Sequence, residues 1–308
     1  MRLTRRDMVK LGASAGAYLA LGPRVTKAEW PQDSPVTKPI PSSGEEIPIV
    51  GLGTRDYKTG ASAEVMTQFR ETLIAFVDHG GTVIDTAAGY GRGTSETVLG
   101  TLLAEQGRGD DVFWATKVDR EGKAEGAARM EASFDKLQRE QIDLMQVHNL
   151  RDTSTQLATM REWRQDGRIR YIGVTSSSRR QFDAMIETIE TEELDFVQIN
   201  YSIADRAASE RILPMCQEKG IATLINLPYG RGRTFEAVGD TPLPEWAAEF
   251  SESWGNFFLK YVTSHPAVTA AIPGTTKPRH AIDNMAAARG WMPDAAMRTR
   301  MEEFFDAL

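Results

Sequence analysis

Eight short, almost continuously apolar runs recur along the chain from Ile49 onward, and helix-like amphipathic stretches fill the gaps between most of them. The runs are Ile49–Leu52, Thr82–Asp85, Val112–Thr116, Asp143–His148, Arg170–Val174, Asp195–Ile199, Ile221–Ile225 and Val268–Ile272. The amphipathic stretches include Glu64–His79, Glu96–Glu105, Ala124–Arg139, Ser154–Asp166, Arg179–Glu190 and Ala207–Lys219. Run starts recur at roughly 25 to 30 residues, the length of one βα unit. A strand that is apolar throughout is covered on both faces, as in a parallel sheet wrapped by helices. Eight such units in about 260 residues predict a single-domain α/β fold, a (β/α)8 TIM barrel. An open doubly wound sheet competes with it, but needs Gly-x-Gly-x-x-Gly in an early βα turn. Gly51-Leu52-Gly53 lacks the third glycine and opens no helix. A final helix is expected after Pro293, packed across one end of the barrel. The Gly- and Pro-containing loop Gly230 to Trp246 is expected to act as a lid over cofactor or substrate.

The first 28 residues read differently. Arg5-Arg6 and Lys10 precede the uncharged, Ala- and Gly-rich run Leu11 to Gly22, and Thr26-Lys27-Ala28 offers a cleavage point. A positive segment, a short apolar segment and a small-residue cleavage site make a secretory signal. The paired arginines resemble the twin-arginine export motif. The run falls short of the about 20 apolar residues that span a bilayer, so no stable membrane anchor is expected. The expected division is a twin-arginine signal peptide over 1–28 and the barrel over 29–308. It places the protein in the periplasm, or otherwise outside the cytoplasm, with the twin-arginine translocase as its partner during export. Residues Glu29 to Pro41 read as an extended lead-in.

Charge and rare residues narrow the chemistry. A net charge of −7 argues against a nucleic-acid surface. The single cysteine, Cys216, has no intrachain disulfide partner and sits in a helical, apolar pattern, so it reads as a small core residue. The four histidines, His79, His148, His265 and His280, are far apart without ligand spacing, so no metal is expected.

Barrel enzymes carry their chemistry at the C-terminal ends of the strands. The second run closes on Asp85, and the loop behind it carries Tyr90; the third closes at Lys117 and the fourth on His148. Singly, each has an ordinary reading: an aspartate there caps a helix, and a lysine there snorkels. Together they form a proton-transfer set. A free tyrosine, with a pKa near 10, is too weak an acid at neutral pH; a neighbouring lysine favours the phenolate, and an aspartate holds the lysine. A neutral histidine can hydrogen-bond and orient a carbonyl oxygen.

Val50-Gly51-Leu52-Gly53-Thr54, Asp85 to Gly91, Ala115-Thr116-Lys117-Val118, Val147-His148, Ile172-Gly173-Val174 and Ile272-Pro273-Gly274 resemble the successive motifs of the aldo-keto reductases, over roughly Pro41 to Ala288. The resemblance implies an oxidoreductase that reduces an aldehyde or ketone, or oxidises the alcohol, by hydride transfer. It implies Tyr90 as general acid/base, Lys117 and Asp85 as its tuners, and His148 as the substrate-orienting group. It further implies cofactor contacts at Gly53, Thr54, Asp85, Thr175, Ser176, Gln198, Asn226, Leu227 and Pro228, and at Gly274, Thr275, Arg279, His280 and Asn284. A helix start and cations near Lys277 to His280 suit a phosphate, favouring NADP(H) over NAD(H).

The chain departs from the family pattern at several positions. Arg55, Asp119 and Asn149 stand where many pockets of the family carry aromatic residues, which makes the substrate pocket polar. Arg55 could pair with an anionic substrate or be a plain surface charge. Asn226 stands where a tyrosine commonly stacks on the nicotinamide, which leaves that stack to Tyr201, to Tyr229 or to no residue at all. A second reading is therefore a sensor or partner subunit that binds a nicotinamide nucleotide with little turnover. The paired Lys117 and Asp85 favour the enzyme, because a pure binder has no need of them. A Schiff-base lyase using Lys117 is disfavoured by the adjacent aspartate and tyrosine.

Overall fold

The computed structural model describes residues 34–308, so the expected export signal over 1–28 lies outside the described residues. A hairpin comes first, with β1 (Thr37–Pro39) antiparallel to β2 (Glu46–Pro48). Eight parallel strands follow: β3 (Leu52–Gly53), β4 (Val83–Asp85), β5 (Phe113–Val118), β6 (Ile142–His148), β7 (Ile169–Thr175), β8 (Phe196–Asn200), β9 (Ala222–Asn226) and β10 (Ala270–Ala271). They pair in sequence order, and bridges Val50–Ala271 and Gly53–Gly274 join the first strand to the last. Across this seam the Gly51 N–H donates to Ala271 O at 2.8 Å and the Ala271 N–H to Ile49 O at 2.9 Å. The eight-stranded barrel read from the apolar repeat is therefore present, each strand within a few residues of its expected place.

Helices wrap the strands: α1 (Ala63–Asp78), α2 (Ser95–Glu105), α3 (Lys123–Leu137), α4 (Thr153–Gln165), α5 (Phe182–Thr191), α6 (Ile212–Glu218), α7 (Trp254–Thr263), α8 (Pro278–Ala286) and α9 (Ala295–Asp306). Ser62 caps α1 and Asp294 caps α9, each side-chain oxygen accepting a backbone N–H of the first turn. The last helix packs on α7 and on the segments carrying Tyr201 and Trp246: Arg298 donates to the Tyr201 hydroxyl at 2.7 Å, and Phe304 meets Trp246 and Trp254.

The barrel interior is layered. Strand-start residues fill its lower half, with Phe113, Tyr171 and Phe196 as a mutually contacting aromatic set at centroid separations of 5.7 to 6.0 Å. Gly173 makes room for Phe196, since a Cβ there would come within 2.5 Å of the Phe196 carbonyl oxygen. Ile40 and Ile47 of the hairpin close this layer, and the Tyr171 hydroxyl donates to Glu45 and accepts from the Ser43 hydroxyl. The segment read as an extended lead-in is thus in part a β-hairpin plugging the N-terminal end. Lys38 anchors it by donating to the carbonyls of Thr263, His265 and Val268 at 2.8, 3.1 and 2.6 Å. With apolar side chains sealing one end, inward-facing polar groups concentrate at the other, where Asp85, Lys117, Gln146, Thr175 and Gln198 are all buried.

Candidate active site

Strand alternation aims Asp85, Lys117 and Gln146 into the barrel, because β4, β5 and β6 pair in register. Lys117 is 1 % exposed, and its ammonium donates to both Asp85 oxygens at 2.8 and 2.7 Å and to the Thr86 carbonyl at 2.5 Å. Gln198 adds a bond to Asp85 Oδ1 at 2.9 Å, and Thr175 donates to Gln198 Oε1 at 2.6 Å. Burial pulls the Lys117 pKa down, but Asp85 and Tyr90 outweigh it and hold the ammonium above its ordinary value. The buried network is therefore a charged lysine held in place by a fully engaged carboxylate.

Tyr90 sits above this pair, its ring centroid 4.9 Å from Lys117 Nζ. The turn carrying it is tightly built. Gly91 has φ 58°, donates its N–H to Arg55 O at 2.9 Å, and lies so close to Tyr57 that a Cβ would fall 1.9 Å from that carbonyl oxygen. His148 stands edge-on to Tyr90, ring centroids 6.0 Å apart at 80°. Burial, with Lys117 adding to it and Asp119 opposing, lowers the His148 pKa to about 4, so the imidazole is neutral at pH 7. Asp85, Tyr90, Lys117 and His148 are thus brought to one place, at the open mouth of the barrel.

A cleft of about 430 Å³ opens there. Of the residues singled out from sequence, Arg55, Tyr90, His148, Asn149, Thr175, Gln198, Asn226 and Leu227 line it. A second cleft of about 380 Å³ collects Gly274, Thr275, His280 and Asn284, walled by Tyr229 and Trp254. The loop after β9 joins the two, since Leu227 lines the first and Tyr229 the second. Arg279 is exposed at the start of α8. Several expected contacts brace the site instead of lining it. Thr54 donates both its N–H and its hydroxyl to the Asp85 carbonyl, at 3.1 and 2.9 Å. Gly53 belongs to the barrel seam, Pro228 is buried, and the Ser176 hydroxyl donates to Gln181 at 2.6 Å.

Asp119, expected in the substrate pocket, is engaged by Arg129 and Arg120, each at 2.9 Å, and does not line the cleft. Neither tyrosine considered as a ring stack lies in the reactive cleft: the Tyr201 hydroxyl donates to that of Tyr261 at 2.9 Å, and the Tyr229 hydroxyl to Asn284 at 2.7 Å. The loop expected as a lid holds a short helix, Arg233–Val238, whose Phe235 lines the second cleft. Cys216 is buried, its thiol pushed up to about 12 by desolvation. Among the described residues, no cluster of three or more His, Cys, Asp or Glu side chains could hold a metal ion. Sequence reasoning passed over Gln146, Ser177 and Arg231. Gln146 was visible as the inward-facing residue two before His148, and Arg231 as a cation between two glycines in the β9 loop.

Comparison with known proteins places this arrangement. The model of the Aldo/keto reductase family matches residues 49–299. Aldo-keto reductase YhdN of Bacillus subtilis (strain 168) is 33% identical over 209 residues, a match spanning 63% of this chain and 62% of that protein. The NADH-specific methylglyoxal reductase of Escherichia coli (strain K12) is 25% identical over 278 residues, covering 73% of this chain and 84% of its own length. The crystal structure of an aldo/keto reductase from Klebsiella pneumoniae in complex with NADP and acetate superposes with a TM-score of 0.72 at 26% identity, over 85% of this chain and 93% of that one. The barrel, the buried lysine–aspartate pair beneath a tyrosine and a family match that spans all eight barrel strands lead to one statement: the chain belongs to the aldo/keto reductase family.

Proposed function

We propose that the protein reduces a small aldehyde or ketone, or oxidises the corresponding alcohol, with NADP(H), and that Tyr90 is its proton donor and acceptor. The carrying observation is the Lys117 ammonium, bonded to Asp85 and lying 4.9 Å from the Tyr90 ring at the floor of an open cleft. That charge favours the negative oxygen left when Tyr90 gives up its proton. Neutral His148 donates a hydrogen bond to the substrate oxygen and fixes the carbonyl over the site.

The residues present suit a nicotinamide dinucleotide. Asn226 donates through Nδ2 to the Ser176 carbonyl at 3.1 Å, while its Oδ1 is buried without a partner. A carboxamide N–H would satisfy that oxygen. Lys277, Arg279 and His280 at the start of α8 would hold a phosphate, the feature that favours the phosphorylated dinucleotide. When bound, the reduced dinucleotide supplies the hydride to the carbonyl carbon and is left oxidised. Tyr90 supplies the proton to the oxygen, so the C=O becomes CH–OH. In the reverse direction Tyr90 takes the hydroxyl proton back.

Tyr90→Phe keeps the ring and removes the oxygen. NADPH binding, followed by fluorescence, should survive, while turnover of 4-nitrobenzaldehyde should fall by about 10² to 10⁴. Near-normal turnover in this variant would refute the assignment and favour the nucleotide-binding sensor. We further propose export by the twin-arginine route, on the Arg5-Arg6 motif and the apolar run behind it. Changing both arginines to lysine should hold precursor in the cytoplasm; normal appearance of the mature form outside would refute it.

A further inference from the structure

We propose that the substrate carries an anionic group, a carboxylate or a phosphate, gripped by Arg55 and Arg231 at the mouth of the catalytic cleft. The inference rests on the reductase reading of that cleft and names its substrate class.

Arg55 and Arg231, both exposed, line the same cleft as Tyr90 and His148. They come from separate loops, Arg55 from the one after β3 and Arg231 from the one after β9. Among the described residues, neither side chain has an ion pair or a hydrogen bond, whereas Arg170, Arg179 and Arg206 are each closed on carboxylates. No carboxylate lines the cleft. Asp85 lies beneath it, saturated by Lys117 and Gln198, and Asp119 beside it is taken by Arg129 and Arg120. A protein with net charge −7 thus presents a cleft whose accessible charges are positive. Such a field concentrates anions at its mouth.

The backbone holds both arginines in place. The Arg55 carbonyl accepts the Gly91 N–H at 2.9 Å, which ties Arg55 to the turn carrying Tyr90. Arg231 has φ 61° and Leu227, also in the cleft lining, has φ 52°. Non-glycine residues rarely adopt this left-handed conformation, because their Cβ crowds the neighbouring carbonyl there. Arg231 lies between Gly230 and Gly232, where glycine would remove that crowding. Retaining a strained arginine there makes sense if its charge is used. Two planar guanidinium forks suit the oxygens of a carboxylate or phosphate, which each can bond in pairs. The anion would then sit at the cleft mouth while the carbonyl reaches down to Tyr90 and His148.

The test compares matched neutral and anionic carbonyl compounds with NADPH: 4-nitrobenzaldehyde against 4-carboxybenzaldehyde, and glyceraldehyde against glyceraldehyde 3-phosphate. Wild type should show a kcat/KM at least about tenfold higher for the anionic member of one pair, and the favoured pair tells carboxylate from phosphate. Arg55→Ala and Arg231→Ala should each lower that preference by roughly ten- to a hundredfold, as expected for a lost charge-assisted bond. The loss in kcat/KM should fall on the anionic member of the pair more than on its neutral partner, and lysine at either position should restore part of the preference. Equal kcat/KM within both pairs, with measurable turnover, would overturn the anion inference and leave the reductase reading standing. If Arg231→Ala weakens NADPH binding while the preference stays, Arg231 serves the dinucleotide and the two-arginine grip is refuted. If no carbonyl compound turns over, the reductase reading fails; binding of benzoate against benzamide to the NADP-loaded protein by calorimetry then decides. Tighter benzoate, weakened in both arginine variants, supports the anion site, and equal binding refutes it.

Discussion

Removing one half of the Asp85–Lys117 pair should damage the protein more than removing both halves. Asp85→Asn keeps the shape of the side chain but takes away the charge that two bonds of 2.8 and 2.7 Å deliver to Lys117. The lysine, 1 % exposed, keeps only the Thr86 carbonyl and Tyr90 as partners. An ammonium stripped of its counter-charge in such a place costs about 3–5 kcal/mol of stability. At roughly 2–4 °C per kcal/mol for a chain of this size, the melting point should fall by about 6–20 °C. Asp85→Asn combined with Lys117→Met leaves an apolar chain of similar length and no buried charge. It should recover most of the loss and lie within about 1.5 kcal/mol of wild type. Guanidinium titrations followed by circular dichroism and tryptophan fluorescence give the four free energies, and coincident transitions license the comparison. A coupling of at least about 1.5 kcal/mol is expected between the two positions. If the two single losses simply add in the double variant, the pair is not the mutually dependent unit described here. Turnover should be lost in all three variants, so stability and catalysis are read separately.

The tight turn under Tyr90 gives a second expectation. Gly91→Ala would force a Cβ to within 1.9 Å of Tyr57 O at φ 58°, so about 1–3 kcal/mol of stability and most of kcat/KM should go; a kcat/KM within twofold of wild type would mean the turn does not position the tyrosine. Arg279→Ala and His280→Ala should each weaken NADPH roughly ten- to a hundredfold and leave NADH little changed, and an unaltered preference in both titrations would remove α8 from cofactor selection. His148 has a folded pKa of about 4 against the usual 6.5, so the unfolded chain takes up its proton first. Its stabilising contribution is complete above pH 6.5 and drains away as pH falls toward 4. His148→Gln should therefore flatten the fall of unfolding free energy across that window; curves of equal slope would place the imidazole in water.

The barrel was legible because each interior strand is apolar on both faces, a pattern that survives without any knowledge of tertiary contacts. The hairpin β1–β2 was not, since its short strands carry Pro39 and Pro48 and are stabilised by what they plug. Helix α7 escaped for another reason: Gly255 to Thr263 is buried throughout, Asn256 and Lys260 included, so it lacks the exposed charged face that marks the other helices. The four reactive side chains could be read from strand ends and family resemblance together. Their supporting shell could not: that Thr54 braces Asp85, that Arg129 claims Asp119, and that Arg231 reaches the cleft are facts of pairing across distant segments. Asn149, Leu227 and Arg231 have left-handed backbones that residue type alone does not announce.

The anchoring of the hairpin by Lys38 bears on how the chain is made. The three carbonyls that accept from this ammonium belong to Thr263, His265 and Val268, and the hairpin's neighbour Val36 donates to Ala288 O at 2.7 Å. The seam is likewise stitched between Ile49 to Gly53 and Ala271 to Gly274. A ribosome delivers the early side of every one of these bonds more than two hundred residues before the late side. At about 5–20 residues per second, the first segments wait ten seconds or more with polar groups and apolar strand edges uncovered. Closure of the barrel and anchoring of the hairpin therefore wait until residues 263 to 288 have emerged, while the middle strands, which pair in sequence order, can assemble before them.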